Sequence, residues 1–142
     1  MEFCFRAPKD EECALAAKLE RVCLDTCWSE QSIRNLGENA LYICCFSDSS
    51  LCGIGSVYFV LDEAQIMNVA VLPDYRGKGV GFGIMSEIIK NAAQRGCKTI
   101  TLEVAENNTP ALKLYEKCGM DRVGIRKGFY GDFAAIIMEK KI

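Results

Sequence analysis

A chain of 142 residues, half apolar and a quarter charged, suits one folded domain with one core and excludes a disordered or fibrous chain. Seventeen basic against nineteen acidic residues give a formal charge of −2, no general reason to bind nucleic acid. With no histidine, Ser-His-Asp and Cys-His catalysis are excluded, and proton transfer falls to Glu, Asp, Tyr, Cys, Lys or water.

In chain order, residues 2–6 predict a short edge strand ended by Pro8. Asp10 is placed to cap a helix reaching about Leu24, with Leu15, Leu19, Val22 and Cys23 on one face. Ser29 caps a short helix through Leu36, stopped at Gly37. Residues 40–46 and 52–60 read as antiparallel strands about the polar turn Ser47-Asp48-Ser49-Ser50. Asp62-Glu63 makes the next turn, and Gln65 to Leu72 is a further strand. From Gly79 to Arg95 a stripe of Val80, Ile84, Ile88 and Ala92 marks a helix ending at Gly96. Lys98 to Val104 alternates, with Ile100, Leu102 and Val104 on one face. Asn107-Asn108-Thr109-Pro110 opens a helix to Cys118, and strands follow at 120–126 and 133–140. Strand, helix, strand over 65–104 is a crossover, so those two strands are expected to be parallel. The whole predicts a single α/β domain, with a mixed, mostly antiparallel sheet, a central parallel pair and helices on both faces.

The nine cysteines are odd in number, lack a CxxC pair and lie among apolar neighbours. They read as small buried hydrophobes in a reducing compartment, not as a disulfide scaffold or a zinc site. No charged-then-apolar leader opens the chain, and no apolar run nears the ~20 residues of a membrane helix. A cytoplasmic protein without membrane partner, nucleic-acid partner or metal is expected.

One segment carries the chemistry. Tyr75-Arg76-Gly77-Lys78-Gly79-Val80-Gly81-Phe82-Gly83 lies between a strand and a long helix. Its glycines let backbone N–H groups converge at a helix N-terminus, with Arg76 and Lys78 adding charge, which makes an anion site suited to a pyrophosphate. Phe82 and Ile84 stand where a dinucleotide fingerprint needs glycine, and Lys78 is followed by Gly79 where a P-loop needs Ser or Thr.

Arg76-Gly77-Lys78-Gly79-Val80-Gly81 resembles the acyl-coenzyme-A pyrophosphate loop of the GNAT N-acetyltransferases. The resemblance extends through Asn68-Val69-Ala70-Val71, Leu102-Glu103-Val104, Asn107-Asn108, Ala111-Leu112-Leu114-Tyr115 and Gly119-Met120, nearly the whole chain. Trp28-Ser29 and Arg126-Lys127-Gly128-Phe129-Tyr130 are similar to the branch that acetylates ribosomal-protein N-termini. It implies acetyl-CoA as co-substrate and a protein N-terminus, that of ribosomal protein S18, as acceptor. Two departures bear on acceptor choice: Cys27 stands where proline is common, and residues 131–135 form a shortened segment without the usual acidic residue beside Ala135.

The resemblance also implies roles. Glu103, which position alone leaves as a solvated strand-end carboxylate, would be the base acting through water. Tyr115, by periodicity a core residue, would protonate the leaving thiolate. Val69, Ala70 and Val71 would offer backbone groups to the coenzyme arm, with Arg76, Gly77, Lys78, Gly79, Val80, Gly81 and Phe82 at its pyrophosphate and Asn108 hydrogen-bonded to it. Trp28, Glu38, Glu63 and Tyr130 are candidates to line the amine side. An acetyl-cysteine route through Cys97 or Cys118 lacks a histidine to activate the thiol, so direct transfer in a ternary complex is expected. A small-amine acetyltransferase and a non-catalytic acyl-CoA-binding module are the alternatives.

Overall fold

The computed structural model describes residues 2–142, apart from the side chains of residues 129 and 130. Seven strands form one sheet: β1 (Cys4–Arg6), β2 (Ala40–Ser47), β3 (Ser50–Val60), β4 (Glu63–Val71), β5 (Thr99–Ala105), β6 (Asp121–Tyr130) and β7 (Phe133–Lys141). Their spatial order is β1-β2-β3-β4-β5-β7-β6, antiparallel throughout except for the parallel pair β4–β5. The four helices are α1 (Cys13–Cys23), α2 (Glu30–Arg34), α3 (Val80–Gln94) and α4 (Thr109–Lys117). This is the sheet expected from the sequence.

Both faces of the sheet are covered because the central strands are apolar on both sides. Along β2, Tyr42, Cys44 and Phe46 pack against Cys13, Ala16 and Leu19 of α1, while Ile43 and Cys45 face Ile84, Met85 and Ile88 of α3. Gly55 of β3 lets α3 come close: a Cβ there would lie 2.5 Å from the Ile84 side chain. The cysteines are all free thiols, five of them buried.

The first helix differs from its expected face. Leu15 and Val22 are exposed, and the buried residues are Cys13, Ala16, Ala17, Leu19 and Glu20. Small side chains at 13, 16 and 17 let the helix lie near the sheet, and spacing of three and four continues the stripe to a carboxylate. Nor does Asp10 cap α1. A single 3-10 turn at Asp10–Glu12 precedes it, held by Glu12, which accepts from the Lys9 N–H (2.8 Å) and pairs with Arg6 (2.7 Å). The Ser29 cap stands, its hydroxyl accepting from Ser32 N–H at 3.1 Å, but α2 stops at Arg34.

The feature that positions the site is a parting of strands. β4 and β5 pair only over Glu63–Gln65 and Thr99–Thr101, although β4 runs on to Val71 and β5 to Ala105. Just past the last pair, consecutive Ser56 and Val57 on β3 face Asn68 and Ile66, leaving Met67 as an extra residue in β4. Such a bulge bends and twists its strand, and here it turns β4 away from β5 at their common C-terminal end.

Candidate active site

Into that parting open two adjoining cavities of about 970 and 630 Å3. Cys23, Leu24, Val69, Asn108, Ala111 and Tyr115 line both, so the cleft passes through from one side of the sheet's end to the other.

The smaller cavity is built by β4 and the start of α3. Val69, Ala70 and Val71 pair with β3 on one edge, while their other edge faces the cleft beyond the reach of β5. Gly77 and Gly79 have φ of +75° and +85°, a left-handed backbone that side chains resist, and Gly79 is the N-cap of α3. No side chain caps this 15-residue helix, so its first N–H groups point outward beside Gly77 and Gly79. Gly81 lines the cavity too and has a packing role besides: a Cβ there would lie 2.9 Å from the Leu114 side chain, so its bareness admits α4 against α3. Arg76 folds back, its Nε donating to the Val71 carbonyl at 3.0 Å, and so ties the loop to the end of β4. Phe82 lines the cavity beneath Lys117, whose Nζ is 5.1 Å from the ring centroid. Lys78 turns toward the Tyr75 ring, 5.9 Å away, and is not among the lining residues.

These groups fit a bound acyl coenzyme A. The uncapped helix end and its glycines supply N–H donors and partial positive charge for a pyrophosphate, and the unpaired edge of β4 can take the amide-bearing arm as an added strand would.

The larger cavity holds the polar side chains. Glu103 projects from the face of β5 opposite the buried Ile100, Leu102 and Val104, as its alternation requires, and its carboxylate pairs with Arg126 of β6 at 2.7 Å. With side-chain exposures of 28% and 57%, this pair orients Glu103 more than it stabilises the fold. Glu63 accepts from the Thr101 hydroxyl at 2.7 Å, bridging β4 and β5 at their paired end. Tyr115, on the buried face of α4, lies where the cavities meet. Asn108 caps that helix, its Oδ1 accepting from Ala111 N–H at 3.3 Å, and also lines the cleft. Trp28 closes the far wall, its ring tilted against those of Tyr42 (centroids 5.8 Å apart) and Tyr58 (5.3 Å). Glu38 is not in the cleft; its carbonyl accepts from Arg95 at the end of α3. The expectation for Tyr130 falls on a side chain outside the described residues. Burial pushes the Cys97 and Cys118 thiols up, against a ready nucleophile.

Three residues of the cleft were not singled out from the sequence. Arg126 appeared only as part of a motif, although a cation on a strand two places from β5 was available as a partner for Glu103. Asp25 and Leu24 line the cleft from an irregular loop, and nothing in its composition marks them. Among the described residues no group of three or more Cys, Asp or Glu could hold a metal, and no helix is long and apolar enough to cross a membrane.

The sequence profile of the acetyltransferase (GNAT) family matches residues 8–120. The [ribosomal protein bS18]-alanine N-acetyltransferase of Haemophilus influenzae is 38% identical over 104 residues, 72% of this chain and 70% of that protein. The crystal structure of the ribosomal-protein-S18-alanine N-acetyltransferase from Escherichia coli superposes with a TM-score of 0.88 at 30% identity, covering 99% of this chain and 94% of that one. Arabidopsis thaliana NAA60, crystallised with acetyl-CoA, shares the fold with a TM-score of 0.89 at 18% identity, over 99% of both chains. The chain therefore belongs to the acetyltransferase (GNAT) family, as an N-acetyltransferase.

Proposed function

We propose that this chain acts in the cytoplasm as a one-domain enzyme that moves the acetyl group of acetyl-CoA onto the N-terminal α-amine of a protein, the alanine of ribosomal protein bS18. The observation that carries the reading is the through-cleft at the parted strands. An anion-binding helix end lies on one side, carboxylates lie on the other, and Tyr115 stands between. A cleft open at both ends admits two substrates at once, which supports direct transfer in a ternary complex. The acceptor is inferred from the relatives at 35–38% identity, all named for bS18 alanine. Nine free thiols suit the reducing cytoplasm.

When bound, acetyl-CoA supplies an activated acetyl thioester. An α-amine of pKa about 8 is partly protonated at neutral pH, so Glu103 serves as the base, taking the proton through water while Arg126 holds its carboxylate in place. A backbone N–H on the free edge of β4 at 69–71 stabilises the negative charge that develops on the acetyl oxygen. The nitrogen gains the acetyl group, the C–S bond breaks, and the Tyr115 hydroxyl protonates the departing sulfur. Trp28 and Glu63 bound the acceptor's side of the cleft. Tyr130 is proposed there on resemblance alone.

Thiol release from acetyl-CoA is the test, measured with a peptide carrying the bS18 N-terminus, with a polyamine, and with no acceptor. Release with the peptide only is expected. Release with the polyamine alone would assign the enzyme to small amines, and binding without release to either would leave an acyl-CoA-binding module.

A further inference from the structure

Glu20 is the most deeply buried charged side chain in the protein, at 0% exposure on the inner face of α1. None of the ion pairs among the described residues includes it, and burying a carboxylate carries a desolvation cost that an apolar residue would avoid. Its two oxygens are both used. Oε1 accepts from the backbone N–H of Trp28 at 2.9 Å, and Oε2 accepts from the Tyr42 hydroxyl. Burial, then the neighbouring Glu20, pushes that hydroxyl well above its usual range, so it remains a donor.

Few other hydrogen bonds fix this segment, whose Trp28 ring packs against Tyr42 and Tyr58. Residues 24–29 join α1 to α2 without regular structure. Among the described residues, the only bonds from 25–28 are the Trp28 N–H to Glu20 and the Cys27 thiol to the Leu24 carbonyl. Yet Leu24, Asp25, Thr26 and Trp28 form one wall of the larger cavity. Tyr42 contributes twice, donating to Glu20 and packing at a tilt against the Trp28 ring.

We infer that Glu20 is a positioning residue for acceptor binding: from inside the core it fixes the Trp28 loop, and with it the wall against which the acceptor N-terminus lies. This rests on the acetyl-transfer reading for its functional consequence, but not for its structural one. The side chains it fixes, Trp28 and Tyr42, are absent from the lining of the coenzyme-side cavity, so its effect is expected on the acceptor.

Three variants test this: Glu20→Leu, Glu20→Gln and Tyr42→Phe. In Glu20→Leu the Trp28 N–H and Tyr42 hydroxyl both lose their acceptor. The KM for the bS18 peptide is expected to rise ten-fold or more, with kcat within about three-fold and the acetyl-CoA Kd unchanged. Emission from Trp28, the only tryptophan, should shift to the red as the loop loosens. Gln offers an oxygen to Trp28 and an amide that the Tyr42 hydroxyl can accept from, so Glu20→Gln restores both readouts. If Glu20→Leu does not fold, Tyr42→Phe, which removes one of the two bonds, should give a smaller change in the same direction. Unchanged peptide KM and emission in the folded variants overturns the inference, as does equal weakening of peptide and acetyl-CoA binding. A wild-type enzyme inactive on the peptide would sink the proposed function instead, while the emission comparison would still decide the role of Glu20.

Discussion

The proton-transfer assignments rest on two side chains that differ in how they are held. Glu103 is partly exposed and oriented by an ion pair, whereas Tyr115 is embedded in the core of α4. Replacing Glu103 by Gln should slow turnover about 10²–10⁴-fold at pH 7, the usual range for general acid–base catalysis, with acetyl-CoA affinity near normal. Its rate should recover as pH rises past about 8, where the amine deprotonates unaided. Tyr115→Phe keeps the ring and removes the hydroxyl. Its loss should persist at high pH, because the defect lies at the leaving group. A pH–rate profile of the two variants checks both assignments, and parallel profiles would remove the division of labour. At this scale the sequence was informative where a residue's direction follows from backbone period. The alternation of β5 put Glu103 opposite the core, and the stripe of α4 put Tyr115 within it. It was silent on Arg126, since an ion pair between β5 and β6 depends on a sheet order with β7 between them.

Among the elements, the start of α3 is the most demanding. Gly79 and Gly81, both read from sequence as making room for phosphate, have separate physical duties. Gly79 is needed for its left-handed backbone and Gly81 for the approach of Leu114. Gly79→Ala should therefore cost about 1 kcal/mol of strain and weaken acetyl-CoA binding at the cap. Gly81→Val should lower thermal stability as well, by overpacking worth roughly 1–3 kcal/mol. Calorimetry for Kd and thermal unfolding for stability separate the two; equal stability loss would contradict the assignment. The turn before α1 gives a pH prediction. Hydrogen bonds from Arg6, then from the Lys9 N–H, hold the Glu12 carboxyl at about 2 instead of the usual 4.5. A carboxyl lowered by folding stabilises the native state above its unfolded value, and the benefit fades as pH falls from about 4.5 towards 2. Glu12→Gln should cost about 1 kcal/mol at pH 7, roughly 3 °C in Tm, and almost nothing near pH 2. The face of α1 was misread because apolar Leu15 and Val22 stand out, while the true inner stripe is alanine, cysteine and a buried Glu20. Periodicity of hydrophobic residues does not register a carboxylate that the core satisfies from the other side.

For the whole molecule, the order of elements was legible because each strand and helix carries its own period and stop signals, and the crossover rule supplied the parallel pair. The parting of β4 and β5 was not. It arises from the extra residue at Met67, and a bulge is a relation between two strands that one strand's pattern does not record. That parting is what gives the chain a cleft open to two substrates, so double-reciprocal plots at several acceptor concentrations should intersect. Parallel lines would indicate an acetylated enzyme. The central claim, transfer to a protein α-amine, is tested most directly by incubating the enzyme with acetyl-CoA and bS18 and locating the acetyl group by tandem mass spectrometry. One acetyl group on the amino group of the N-terminal alanine is expected; an unmodified N-terminus, or acetylation confined to lysine side chains, would rule out transfer to the α-amine.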